Sequence, residues 1–199
     1  MKFAPVLASA AAFVTIAGSQ AVVHEAQPQV AAERKVRMAS NSEMTKMFAD
    51  DQAGRRNLQP SGWQALGEGD VRRRARTREL LRQGRLTTGE DFYHAAFIFQ
   101  HGDRPDDYLL AHNIAIMAVS KGHPRAMWIS AATLDRYHQE VKQPQIFGTQ
   151  FSKVEGNGKW TSEPYNPAVV SDPLRKAFGV RTIAEQNARL IELNAGSQH

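Results

Sequence analysis

From Ser40 onward, apolar residues recur at three- and four-residue intervals, the spacing of amphipathic helices. Ser40-Asn41-Ser42-Glu43 has the form of a capping box, and the helix it opens carries Met44, Met47, Phe48, Asp51 and Arg55 on one side. Residues 57–69, with Pro60, Gly62 and Trp63, read as a loop; an arginine-rich helix follows over about 70–83 and stops near Gly84. Thr87 and Glu90 predict a second capping box, opening a helix that runs through His101 and ends at Gly102. Phe92, Ala95, Ala96 and Phe99 take one of its sides, while Phe97 and Ile98 take the other beside His94 and His101, the pattern of a buried helix. Asp103 and Pro105 start a helix over about 103–121, with Gly122 as its stop. Its Leu109, Leu110, Ile114, Ile116, Met117 and Val119 leave little polar circumference. Pro124 opens a third core helix over about 124–140, carrying Met127, Trp128, Ile129, Leu134 and Tyr137. Short connections make these three helices antiparallel neighbours.

Beyond Gln143-Pro144 the periods shorten. Residues 150–154 and 159–163 predict two short strands, and Asn157-Gly158 between them is a hairpin signal. Residues 171–178 form a short helix closed by Gly179, and Thr182 with Glu185 caps a last amphipathic helix over about 182–193. The predicted fold class is mainly α, a compact bundle of antiparallel helices of the helical-hairpin type with a small C-terminal β-hairpin and a final helix. The predicted organisation is a signal peptide over 1–21, a flexible leader over 22–39 and one helical domain over 40–199. Within that domain lie a core over 87–141, a polar loop over 143–151 and the hairpin over 150–163.

The N-terminal segment has its own grammar. Lys2 precedes an apolar stretch over 3–18, and Ser19-Gln20-Ala21 offers a small-x-small cleavage site. Pro5, Ser9 and Thr15 interrupt the stretch and no stop-transfer flank follows, so the expectation is export, not a permanent membrane anchor. Cleavage after Ala21 removes one base, Lys2, and takes the net charge from +5 to +4. So slight an excess argues against nucleic acid. Arg72, Arg73, Arg74, Arg76, Arg78, Arg82 and Arg85 spread around their helix with no aromatic among them to stack on bases, and so predict a salt-bridged face, with polyanion binding the weaker reading. The chain has no cysteine, which excludes disulfides, thiol nucleophiles and cysteine metal sites. The sequence carries no signal for an oligomeric state.

Familiar catalytic signatures are missing: no G-x-S-x-G elbow, H-E-x-x-H pair, P-loop, dinucleotide fingerprint or calcium loop, and hence no cofactor motif. What remains is a set of polar residues on apolar helices, where an unpaired group costs about 1–3 kcal/mol. Asp51 sits with Met44, Met47 and Phe48, and Asp135 with Trp128 and its alanines, so each requires a partner; Arg55, Arg136 and His101 are the candidates. A buried salt bridge and a functional site both satisfy that requirement. His94 and His101 share a helical face at i, i+7, about 10 Å apart, which argues against joint ligation of one metal ion. His101 at the helix C-terminus is placed to gain from the dipole when protonated and to titrate near neutrality, or simply to cap the helix. His112 reads as a satisfied core histidine and His123 as a turn residue. The loop Gln145-Ile146-Phe147-Gly148-Thr149-Gln150 can bind a ligand through its amides or close over the polar core.

Asp51-Gln52, Phe99-Gln100-His101-Gly102, Leu134-Asp135-Arg136-Tyr137 and Gln145 with Phe147-Gly148-Thr149-Gln150 together resemble an uncharacterised microbial domain family with similar DQ, QHG, LDR and Q-x-[YF]-G-T-Q blocks. The resemblance covers about 47–151 and implies a helical domain whose marked positions share one cluster, without implying a reaction. Residues 108–137 also resemble a single helical hairpin of the Sel1 or tetratricopeptide kind. Two functions follow as expectations. In an enzyme, His101 and Asp135 form an acid–base pair for hydrolysis or proton transfer on a small substrate. Arg136 then orients an anion, and Asp51, Gln52, His94, Gln100, Gln145, Gly148, Thr149 and Gln150 bind ligand. In a binding module, the helical hairpins present a groove to a peptide or protein, and the polar cluster is a brace.

Overall fold

The structure, a computed structural model, describes residues 39–56, 62–156 and 158–196. The expected signal peptide, nearly all of the expected leader, and Asn157 of the expected turn lie outside the described residues. The described chain is mainly helical, with α1 (Ser42–Arg56), α2 (Trp63–Arg82), α3 (Gly89–Phe99), α4 (Pro105–Ser120), α5 (Ala126–Glu140), strands β1 (Ser152–Lys153) and β2 (Trp160–Thr161), then α6 (Asp172–Ala177) and α7 (Ile183–Ala195).

Local chemistry sets the helix starts, in places one residue or two turns from the expectation. At α1 the capping group is Asn41, whose Oδ1 accepts from the Met44 amide at 3.0 Å. Ser40 instead meets Thr88 at 3.2 Å, and Glu43 reaches across to Arg76 at 2.6 and 2.8 Å. The start of α2 is Trp63, not Asp70, so Gly67 and Gly69 lie inside a helix. Gly69 is buried because the Arg73 guanidinium lies against it, within 3.0 Å of where a Cβ would stand. The capping box of α3 is Thr88 with Asp91, in place of Thr87 with Glu90. The buried Asp91 carboxylate also accepts from the Thr87 amide at 3.0 Å and the Asn41 amide at 2.7 Å, joining the starts of α1 and α3. Those backbone donors overcome the cost of burial and hold its pKa below the ordinary carboxylate value.

Helices α3, α4 and α5 pack as consecutive antiparallel neighbours, and α1 and α2 lie against α3. Buried Ala95, Ala96, Ala111, Ala115 and Ala118 allow close approach; Met44, Leu80, Ile98, Phe99, Ile114 and Ile129 fill the remaining volume. The expectation that α4 is apolar on all sides and covered is only half met. Leu109, Ile116 and Met117 face solvent, because nothing among the described elements packs on that side of α4. Several α2 arginines are salt-bridged: Arg74 reaches Asp103 and Asp107, Arg76 reaches Glu43 and Glu79, and Arg78 bonds Asp107 and lies over the Phe99 ring. No helix of the described residues is long and apolar enough to cross a membrane.

A second, smaller apolar cluster holds the C-terminal segment to α5: Ala131, Phe147, Val170 and Val180, with Leu134, Ile146 and Phe178 against them. Strands β1 and β2 are antiparallel, with Ser152 opposite Thr161 and Lys153 opposite Trp160. Asn194 of α7 accepts from the Trp160 amide at 2.8 Å and donates to the Trp160 carbonyl at 3.1 Å. The Thr182–Glu185 capping box of α7 forms as expected.

Candidate functional site

The polar residues singled out from the sequence divide into two clusters with different chemistry. The first gathers around Asp51, whose side chain is almost wholly enclosed. Its Oδ1 meets Arg55 at 2.5 Å, one helical turn on, and Arg73 at 3.4 Å; its Oδ2 accepts from Gln52 at 2.9 Å. Arg55 and Arg73 also grip Asp70, at 2.7 and 2.5 Å, closing a quartet of two acids and two bases. Burial raises the Asp51 pKa, opposed by Arg55, Gln52 and Arg73. The two guanidiniums hold Asp70 below its ordinary value against the effect of burial.

His101 sits just past the end of α3, where the chain turns through Gln100 and Gly102. Arg74 pins the turn by donating to the His101 carbonyl, and Tyr108 donates to the Gly102 carbonyl at 2.6 Å. A side chain at 102 has no room, since its Cβ would lie 2.3 Å from that of Asp107. The His101 Nε2 is buried, lacks a hydrogen bond and faces Asp51 Oδ2 at 3.6 Å. The pairing expected for His101, with Asp135, is not present, nor does the helix end keep the ring protonated. Burial, reinforced by Arg55, Arg136 and Arg73, pushes its pKa down to about 3, outweighing Asp70, so the imidazole is neutral at physiological pH.

His101 opens onto a depression of about 720 Å³ between α1, α2, the end of α3 and α5. Arg55, Asp70, Gln100 and Arg136 line it with His101, and Trp63 and Leu66 give it an apolar wall. Arg136 is deeply set near the Tyr108 hydroxyl, and burial lowers its pKa. Its Nε is buried without a hydrogen-bond partner, and among the described residues no carboxylate pairs with it.

The second cluster is saturated. Asp135 accepts from the amides of Ile146, Phe147 and Thr149 at 2.9, 2.9 and 2.8 Å and from the Thr149 hydroxyl at 2.7 Å. Gln145 is fully buried; its Oε1 accepts from the Gln150 amide at 3.0 Å, and its Nε2 donates to the carbonyls of Gln150 and Ser162. Gln150 donates to Thr149 Oγ1 at 2.9 Å and the Ala132 carbonyl at 3.3 Å. Two residues outside the expected set complete this knot. Arg175, fully buried, donates to the Phe147 carbonyl and to Gln186 Oε1 at 2.5 Å; Gln186 donates to the carbonyls of Phe147 and Gly148 at 2.7 and 2.8 Å. Gly148, at φ +66°, allows the Gln186 oxygen to approach within 2.6 Å of where a Cβ would stand. Asp135, Gln145, Gly148, Thr149 and Gln150 therefore brace the loop, with no free carboxylate oxygen at Asp135 for catalysis.

His94 belongs to neither cluster. It stacks on Phe48 and meets Glu90 at 3.0 Å, and the other Glu90 oxygen meets His123 at 2.9 Å. It lines a separate depression of about 510 Å³ with Gln52 and Glu90. Among the described residues no group of three or more histidines and acids is arranged to hold a metal ion. His112 is satisfied by the Ser130 carbonyl at 2.9 Å.

Sequence reasoning brought Asp51, Gln100, His101 and Arg136 to attention but missed Asp70 and Trp63 as site residues and Arg175 and Gln186 as braces. The only local signal for Asp70 was its place among arginines; Arg175 and Gln186 become informative only once the C-terminal segment is folded back. Comparison with protein-family models, curated proteins and solved structures returns no match for this chain.

Proposed function

We propose that the protein is an enzyme performing acid–base chemistry on a small extracytoplasmic substrate, with His101 as the proton acceptor and Asp51 as its positioning acid. The observation that carries this reading is an imidazole at the wall of an open depression, its buried Nε2 backed at 3.6 Å by an enclosed carboxylate. With Nε2–H directed at Asp51, the Nδ1 lone pair is left for the cavity, where it takes a proton from water or from the substrate. The imidazolium so formed is stabilised by Asp51, and negative charge developing on the reacting group is offset by Arg136. The reading differs from the expectation drawn from sequence in its acid: Asp51 replaces Asp135. Export rests on the pattern of residues 1–21.

The test is a panel of small esters, amides, lactones and phosphoesters assayed with wild type, His101→Ala and Asp51→Asn. Wild type turns over at least one class, His101→Ala lowers kcat by about 10²–10⁴-fold, and Asp51→Asn lowers it by a smaller factor. Circular dichroism verifies that both variants fold. Turnover indifferent to His101 in a folded variant would sink the assignment.

A further inference from the structure

Among the described residues around His101, one enclosed cation has no counter-charge, whereas Arg56, which also lines the depression, is exposed to solvent. Within the quartet, Asp51 and Asp70 balance Arg55 and Arg73. Arg136 stands outside it, with a buried Nε that bonds to nothing and, among the described residues, no acid in reach. An enclosed, uncompensated guanidinium is destabilising and calls for an anionic guest. Beside it, Trp63 is 64% exposed although it lines the same depression as Leu66. A site with an enclosed, unpaired guanidinium, an exposed arginine beside it and an apolar wall matches one class of molecule.

We propose that this depression binds an organic carboxylate, its carboxylate on Arg136 and its apolar body against Trp63 and Leu66, beside His101. A dianionic phosphate is disfavoured, because Asp70 lines the same cavity and Asp51 lies just behind His101. The inference rests on the acid–base reading of His101 and extends it to the substrate. It also explains how so weak a base becomes competent. The charged groups facing His101 are Asp51 and Arg55 from α1, Asp70 and Arg73 from α2, and Arg136 from α5. A carboxylate on Arg136 cancels part of the positive field, so its binding raises the basicity of the imidazole.

Calorimetry on the folded wild-type protein at pH 7 uses phenylacetate, acetate and inorganic phosphate as probes. Phenylacetate binds about tenfold or more tightly than either acetate or phosphate. Arg136→Gln weakens phenylacetate by about 10–100-fold, the loss of a charge-assisted pair, and Trp63→Ala brings it to the level of acetate. Arg136→Lys, which keeps the charge without the fork, recovers part of the affinity. Arg136→Gln also raises Tm by about 2–4 °C, as expected when an unpaired buried charge is removed. In NMR titrations, saturating phenylacetate moves the His101 pKa upward. Phenylacetate affinity unchanged in Arg136→Gln, or phosphate binding more tightly than phenylacetate, overturns the proposal. His101→Ala separates the two readings, since it retains phenylacetate binding within a few-fold while abolishing turnover. His101-dependent turnover without Arg136-dependent binding refutes the carboxylate alone; Arg136-dependent binding without His101-dependent turnover refutes the acid–base reading.

Discussion

His101 shows how one environment decides the state of a titrating group. A helix end favours imidazolium by some 0.3–1 kcal/mol, whereas enclosure beside three arginines carries the ring from 6.5 to about 3. Enclosure wins because taking a charge out of water costs far more than a helix terminus returns. The sign of the resulting pH dependence follows. Below about 6.5 the unfolded chain takes up a proton that the folded protein refuses, so this contribution is undiminished above that pH and is lost progressively toward pH 3. The loss is on the order of 3–5 kcal/mol. His101→Gln should flatten the dependence of unfolding free energy on pH between about 6.5 and 4, measured by urea denaturation at successive pH values. An equally steep curve in the variant would mean that His101 titrates normally. Asp91, held low by its backbone donors, weakens the fold in the same direction at lower pH and remains in both proteins.

At the scale of elements, the loop after α5 is held by a dense set of side-chain bonds from α5, α6 and α7. Asp135→Ala leaves three amides without an acceptor and should destabilise the protein by about 3–5 kcal/mol. Asp135→Asn, which keeps the acceptor for Ile146 and Phe147 but not for Thr149, should cost about 1–3 kcal/mol. Gly148→Ala combines a left-handed backbone with a 2.6 Å approach to Gln186 and should cost about 1–3 kcal/mol. Unfolding midpoints in urea check all three, and phenylacetate affinity in the Asn variant reports whether the brace also positions Arg136. The helices themselves were legible from sequence because their apolar spacing and their glycine and proline stops are local signals. The start of α2 was not, because Gly67 and Gly69 carry a loop signature although both lie inside the helix. That Asp51 and Asp135 need partners was also legible, since burial of a carboxylate follows from its apolar neighbours. The partners were legible in part: Arg55 and His101 were candidates and Asp51 meets Arg55 and faces His101, whereas Arg73 on α2 was not, and Asp135 finds backbone amides, which have no side-chain signature.

For the whole molecule, the decisive fact is that Asp135 and Arg136 are adjacent in sequence yet belong to different regions. Successive residues of a helix point about 100° apart. On α5 that rotation sends the carboxylate into the loop held by Arg175 and Gln186, and the guanidinium into the depression beside His101. Arg175 and Gln186 thus hold the loop that anchors Asp135, the residue next to the guanidinium in the depression. Residues 166–169, which lead into α6, are exposed. A single proteolytic cut there would release the clasp on α5, so nicked protein should lose phenylacetate affinity while every pocket-lining side chain is still attached. Phenylacetate affinity measured before and after limited digestion within this stretch checks that dependence.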